Sequence, residues 1–222
     1  KVCASGMKAI SVVYNDIMVD NIEVGIAGGM ESMSLVPHYL PNGRFGMGYG
    51  NGVMIDGLAN DGLTDVYNKT SMGVSGDKTA EKYQITREEQ DDFAEQSYKK
   101  AASAWANGSF SNEVVTVSIP QKKGGILEIN EDETYKKANF DKMRTLKPAF
   151  SPEGTVTAAN ASPLSDGASA LVLASENYVQ KNNLKPAAKI IGYAEAEQDP
   201  TFFTTTPVLA TGYLTSKPID FK

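Results

Sequence analysis

The residue best suited to covalent chemistry is Cys3, the one cysteine of the chain, at the head of the stretch VCASGMKAI. A thiol in the first turn of a helix feels the oriented N–H groups there, which favour the thiolate and lower a pKa otherwise near ~8.5. The competing reading is a small buried hydrophobe, the common fate of a free cysteine. Position alone leaves both open. Lysines at 136, 137, 142 and 147 fall within one short segment. They form either a solvated basic face or point charges for the phosphates of a nucleotide-like ligand. Asn160-Ala161-Ser162 makes a turn or offers polar backbone groups to a substrate amide. His38, the single histidine, has no informative neighbours. Gly28-Gly29-Met30 and Gly124-Gly125 lack the lysine and the spacing of phosphate loops.

These residues need elements to hold them. Met7, Ile10, Val13, Tyr14 and Ile17 recur at helical spacing, so Ser5 to Val19 is expected to be a helix with one buried face. Gly6 lowers propensity in its first turn, which suggests that close backbone approach matters there. Val24 to Ala27 reads as a buried strand closed by a tight turn at Gly28-Gly29, and helix followed by strand implies a layered α/β unit. Residues 31–69 are rich in Met and Gly without periodicity, a long excursion of the kind that is functional or forms a small subdomain. A helix is expected over 70–83. The next begins after Thr86, with Glu89 three residues on as a capping box, carries Phe93, Ser97, Ala101 and Ala104 or Trp105 on its inner face, and stops at Gly108. VVTVSIP reads as a strand ended by proline, and QKKGGILEI as a hairpin or loop. GTVTAANASPLSDGASALVLAS reads as strand, turn and apolar run, AAKIIGYAEAEQDP as a further strand, and residues 202–222 as irregular.

Composition bounds the class. The 41% hydrophobic and 22% charged content over 222 residues is that of a globular chain with one good core, or one core and part of a second. A net charge of −6 argues against a general nucleic-acid binder, though not against a local cationic patch. A single cysteine allows no internal disulfide, so a reducing compartment is expected. No run of about 18 apolar residues occurs, so no membrane span is expected. The chain opens without Met on text that already reads as domain interior, so it is expected to be a piece of a larger protein.

Taken together, VCASGMKAI, VGIAGGMESMS, DGLTDVYNK with SMG, REEQDDFAEQSYKKAA and GTVTAANASPLSDGA closely resemble the thiolase family, in particular its biosynthetic acetoacetyl-CoA members. The resemblance runs in order from Lys1 to about Pro207. It implies a layered αβαβα thiolase fold, here incomplete, with a mostly helical and irregular loop domain. Residues 1–34 would be part of the N-terminal core with the nucleophile helix, 35–150 the loop domain, 151–176 the return to that core, and 177–222 the start of the C-terminal domain.

The resemblance also implies roles. Cys3 would be the acyl-accepting nucleophile. Tyr98, Lys137, Ala138, Asn139, Lys142 and Ser162 fall where members contact coenzyme A, Ser162 beside the pantetheine arm. Tyr98, Ala158, Ala159 and Ala161 match the positions that hold a potassium ion in potassium-activated members, and oxygen donors suit that cation. The stretch KKAN departs from the commoner arginine-and-aspartate pattern at Lys137 and Asn139. Ser71 stands where many members have histidine, and Ser75-Gly76-Asp77-Lys78 replaces the usual alanine–glutamate–asparagine text. The family's Asn-Glu-Ala-Phe and Gly-His-Pro stretches and its second, acid/base cysteine do not occur in these residues.

The activity so implied is reversible condensation of two acetyl-CoA to acetoacetyl-CoA through an acetyl-cysteine, in a homodimeric or homotetrameric, cytoplasmic parent enzyme. Peroxisomal or mitochondrial placement is the alternative. The rival functions are a degradative 3-ketoacyl-CoA thiolase and a non-catalytic coenzyme A-binding remnant. This chain alone, with half a core, is expected to be inactive and to leave the segments 24–27 and 170–174 without sheet partners.

Overall fold

The computed structural model describes residues 1–216. A 3-10 turn at Val2–Ala4 leads into helix α1 (Ser5–Met18) and strand β1 (Val24–Ser32). Short strands β2 (His38–Tyr39) and β3 (Ile55–Asp56) and a π-type turn at Leu58–Gly62 punctuate the stretch before helix α2 (Met72–Tyr83). Helix α3 (Arg87–Ala106) precedes strands β4 (Val117–Pro120) and β5 (Ile126–Ile129). After a 3-10 turn at Tyr135–Lys137 come the one-turn helix α4 (Phe140–Met143), strand β6 (Asp166–Ala174) and helix α5 (Glu176–Lys181). A 3-10 segment, Pro200–Thr205, runs into helix α6 (Thr206–Thr215). The architecture is mixed α/β with open sheets. It divides into two compact units, residues 1–75 with the described residues from 163 onward, and Gly76–Ser162. Among the described residues no helix is long and apolar enough to cross a membrane.

In the first unit, β1 and β6 pair antiparallel from Val24↔Ala174 to Ser32↔Asp166. The two apolar segments expected to lack partners therefore find each other. They remain a two-stranded sheet, with Ile26 72%, Leu171 53% and Val172 71% exposed. The expected turn at Gly28-Gly29 is absent, because both glycines lie inside β1. Their smallness serves packing instead. A Cβ on Gly28 would stand 2.5 Å from the Ser169 carbonyl oxygen, and one on Gly25 would stand 2.6 Å from Val13 of α1. Ile10, Val13, Tyr14 and Ile17 are partly covered as the periodicity required, but Met7 is exposed.

The expected close approach does not require Gly6 itself. A Cβ there would meet nothing within 4 Å, whereas a Cβ on Gly29 would lie 3.5 Å from the Gly6 Cα. Gly6→Ala should therefore stabilise the first unit by about 0.5 kcal/mol through helix propensity. Gly28→Ala should cost roughly 1–3 kcal/mol, because backbone must move. Urea unfolding of the two variants should shift in opposite directions, and a shift of both the same way would contradict the packing described.

In the second unit, Thr86 and Glu89 form the expected capping box on α3, and Gly108 adopts a left-handed φ of 70° just past its end. The covered face is the expected one only towards the end of the helix. Ala101, Ala104 and Trp105 are partly covered, but Phe93 is 78% exposed and Ser97 is exposed, while Arg87, Asp91, Ala94 and Tyr98 turn inward. A charged pair holds the position that a polarity pattern assigns to solvent. The strands β4 and β5 form the hairpin, with left-handed Gly124 and Gly125 in its turn.

Three further expectations fail. GTVT is not a strand, since the N–H groups of Thr155, Val156 and Thr157 bond side chains and that of Gly154 bonds the nearby Ser151 carbonyl. Residues 187–200 form no ladder among the described residues. Residues 202–215, expected to be irregular, are helical, with Pro207 in the first turn of α6. Residues 217–222 lie outside the described residues.

Candidate functional site

Cys3 sits in the 3-10 turn immediately before α1 and is exposed. The residue before it, Val2, has φ 46°. A β-branched residue in the left-handed region is a true outlier, and such strain concentrates where function demands a fixed side chain. Two lysines flanking Cys3 in sequence converge on one carboxylate, with Glu195 accepting from Lys1 Nζ at 2.7 Å and Lys8 Nζ at 2.5 Å. Asn15 Nδ2 donates to Tyr193 Oη at 2.9 Å, and the Tyr14 and Tyr193 rings meet edge to face. The segment 193–197 is thereby strapped along α1.

The hydrogen bonds and charge of Lys1 and Lys8 pull Glu195 from the ordinary 4.5 down to about 2. A carboxyl with a depressed folded pKa stabilises fully above its unfolded value and loses that contribution as pH falls. Glu195→Gln should therefore be less stable than wild type near neutral pH, with the difference closing between 4.5 and about 2. Thermal unfolding across that window checks it, and a gap that stays constant would contradict the assignment.

The other candidate residues all belong to the second unit. Tyr98 lies on α3, its hydroxyl donating to the Ala159 carbonyl at 3.4 Å and its ring 6.4 Å from that of Phe140. Ala158 and Ser162 are exposed on the same loop, and Ala161 donates its N–H to the Thr157 carbonyl at 2.9 Å. The structure thus brings Tyr98 to the Ala158–Ser162 loop. On the neighbouring segment, Lys137 is paired with Glu133 at 2.9 Å. Ala138 follows the 3-10 turn in an extended conformation. Asn139 caps α4 by accepting from the Lys142 N–H at 2.9 Å, so it shapes the turn. Lys142 has no ion-pair partner among the described residues, and Lys136 is held by Glu131. Tyr135 also bonds Glu131, which pushes its phenol up to about 12.

Beneath this surface is a polar network that sequence patterning overlooked. Asp91, 1% exposed, accepts from Arg87 Nε at 2.7 Å and Asn160 Nδ2 at 2.9 Å. Arg87 also donates to the Met143 carbonyl at 2.9 Å and the Leu146 carbonyl at 3.0 Å. Asp77 Oδ1 accepts from the N–H groups of Thr155 and Val156 at 2.8 and 2.9 Å. The i,i+4 spacing of Arg87 and Asp91 was the one available signal. Among the described residues no group of three or more His, Cys, Asp or Glu could hold a metal ion. An alkali cation needs only neutral oxygens, and the Tyr98 hydroxyl and the carbonyls of the Ala158–Ala161 loop are donors of that kind.

A family profile described as the thiolase N-terminal domain matches residues 1–177. The chain belongs to the thiolase family. It is 53% identical over 210 residues to a probable acetyl-CoA acetyltransferase of Dictyostelium discoideum, covering 95% of this chain and 51% of that protein. An acetyl-CoA acetyltransferase of Schizosaccharomyces pombe is 50% identical over 211 residues, covering 95% of this chain and 53% of its own length. Among solved structures, the Acat5 thiolase of Ascaris suum in complex with coenzyme A superposes with a TM-score of 0.88 at 43% identity, over 97% of this chain and 55% of that one. This thiolase chain therefore spans about half the length of the relatives it matches. The fold expected from the resemblance, a layered α/β thiolase architecture, is the fold found.

Proposed function

We propose that this thiolase chain supplies the acylation and coenzyme A-binding portion of an acetyl-CoA C-acetyltransferase. The observation that carries the reading is Cys3, presented at the head of α1 behind a left-handed valine, in a chain whose relatives are named acetyl-CoA acetyltransferases. In this reading the Cys3 thiolate attacks the thioester carbonyl of acetyl-CoA, and the tetrahedral intermediate expels the coenzyme A thiolate, which takes up a proton. A base then removes a methyl proton from a second acetyl-CoA. The resulting carbanion attacks the acetyl-cysteine carbonyl, releasing acetoacetyl-CoA and restoring the thiolate. Each step runs backward as thiolysis.

Lys137 and Lys142 serve the coenzyme's phosphates as point charges, Asn139 fixes the turn that presents them, Ala138 contacts the coenzyme, and Ser162 lies beside the pantetheine arm. Tyr98 with Ala158, Ala159 and Ala161 would hold a potassium ion, which supplies fixed positive charge beside the loop. The same reading gives a homodimeric or homotetrameric, cytoplasmic parent enzyme of acetyl-CoA metabolism. The test is an assay of acetoacetyl-CoA thiolysis by the intact protein, with coenzyme A binding followed by calorimetry. Turnover with acetoacetyl-CoA supports the reading. Turnover only with long-chain 3-ketoacyl-CoA would replace it with the degradative one, and coenzyme A binding without turnover would leave a binding remnant.

A further inference from the structure

Arg87, Asp91 and Asn160 form one chain, buried at Asp91 and partly covered at its ends, that reaches two separate stretches of the second unit. On one side, the Asn160 side chain knits its own loop. Its Oδ1 accepts from the Thr157 N–H at 2.7 Å, and its Nδ2 donates to the Thr155 carbonyl at 3.2 Å as well as to Asp91. Thr157, fully buried, adds its hydroxyl as acceptor for the N–H groups of Ala159 and Asn160 at 3.3 Å. On the other side, two Arg87 nitrogens hold the carbonyls of Met143 and Leu146, in and just after α4. Asp91 stands between, and it is seven residues, two helical turns, before Tyr98 on the same face of α3.

We infer that the Arg87–Asp91–Asn160 chain is a positioning unit that sets the Ala158–Ser162 loop and the Asn139–Lys142 turn in one frame on α3, and so fixes the binding geometry for coenzyme A. This rests on the reading given under Proposed function. The alternative role, bulk stability alone, would need only that the charges be paired. The network does more. Every side-chain bond of Arg87 and Asn160 outside the pair ends on backbone adjoining one of the two stretches that carry candidate ligand contacts, at Met143 and Leu146 just after the Asn139–Lys142 turn and at Thr155 and Thr157 just before the Ala158–Ser162 loop. Asn160 is also suited to this task by its chemistry, because it accepts from Thr157 with one atom and donates to Asp91 with the other. Aspartate at 160 would keep the first bond and set two carboxylates against each other.

The test uses the intact protein and three readouts: calorimetric affinity for coenzyme A, amide hydrogen exchange, and the rate of Cys3 alkylation by iodoacetamide. Asn160→Asp should weaken coenzyme A binding by about tenfold or more, because contacts set by geometry are lost with small displacements. It should also deprotect the amides of residues 157–161, while the interior of α3 and the alkylation rate stay at wild-type values. Asp91→Asn combined with Asn160→Asp restores a donor–acceptor pair of opposite polarity and should recover most of the affinity. If Asn160→Asp does not fold, Asn160→Ser, which can still accept from Thr157 but cannot reach Asp91, carries the same expectation. A folded variant that binds coenzyme A within twofold of wild type overturns the positioning role alone. A wild-type protein that binds no coenzyme A overturns the functional reading and this inference with it.

Discussion

Replacing Cys3 by alanine is expected to lower acetyl transfer by the intact protein by roughly 10⁴-fold or more, down to assay background. The size follows from the chemistry. Without a nucleophile there is no covalent intermediate, and the two-step route through an acyl-enzyme is closed. Cys3 is the only thiol of the chain. Serine at the same position keeps the geometry but loses the thiolate, so it should be nearly as inactive. Coenzyme A affinity should stay close to wild type in both, because its candidate contacts lie in the other unit. Transfer activity within tenfold of wild type in Cys3→Ala would remove this residue from the mechanism.

The largest stability effect is expected at Arg87. Its side chain is 25% exposed, while that of Asp91 is 2% exposed. Truncating Arg87 to leucine would leave the Asp91 carboxylate buried with Asn160 as its remaining partner, and would take the Arg87 donors from the Leu146 and Met143 carbonyls, the latter keeping only the Leu146 N–H at 3.3 Å. Breaking a buried pair from one side costs about 3–5 kcal/mol. For a chain of this length that corresponds to a fall of roughly 10 °C in the unfolding midpoint. Replacing both charges by apolar residues is often harmless in buried pairs. Here it should not be, because three backbone and side-chain partners would still lose their bonds. A midpoint for Arg87→Leu within about 2 °C of wild type would mean that water already satisfies Asp91.

How far this could be read before the fold was known depended on whether the governing signal was local. Helix α3 was legible at both ends, since Thr86, Glu89 and Gly108 act on adjacent backbone. Its buried face was not, because Arg87 and Asp91 read as solvated until Asn160 and two carbonyls supply partners from distant residues. Gly28-Gly29 looked like a turn because glycine permits turns and close packing alike. Only the pairing of β1 with β6, some 140 residues away in sequence, decides between them. The helix at residues 206–215 was missed although Pro207 in its first turn is a favourable start signal. Cys3 was legible as a candidate from its place before α1, but the strained Val2 that presents it leaves no mark in the sequence. Lys137 and Lys142 read alike, and only the fold separates the first, paired with Glu133, from the second.

The central claim is that Cys3 carries the acetyl group, and the most direct measurement is peptide mapping by mass spectrometry after a brief exposure of the intact protein to acetyl-CoA and an acid quench. The account predicts one acetyl group, on the peptide containing Cys3, removed by added coenzyme A and absent from Cys3→Ala. Stoichiometric acetylation of the Cys3→Ala protein, or of another residue in wild type with Cys3 unmodified, would contradict it.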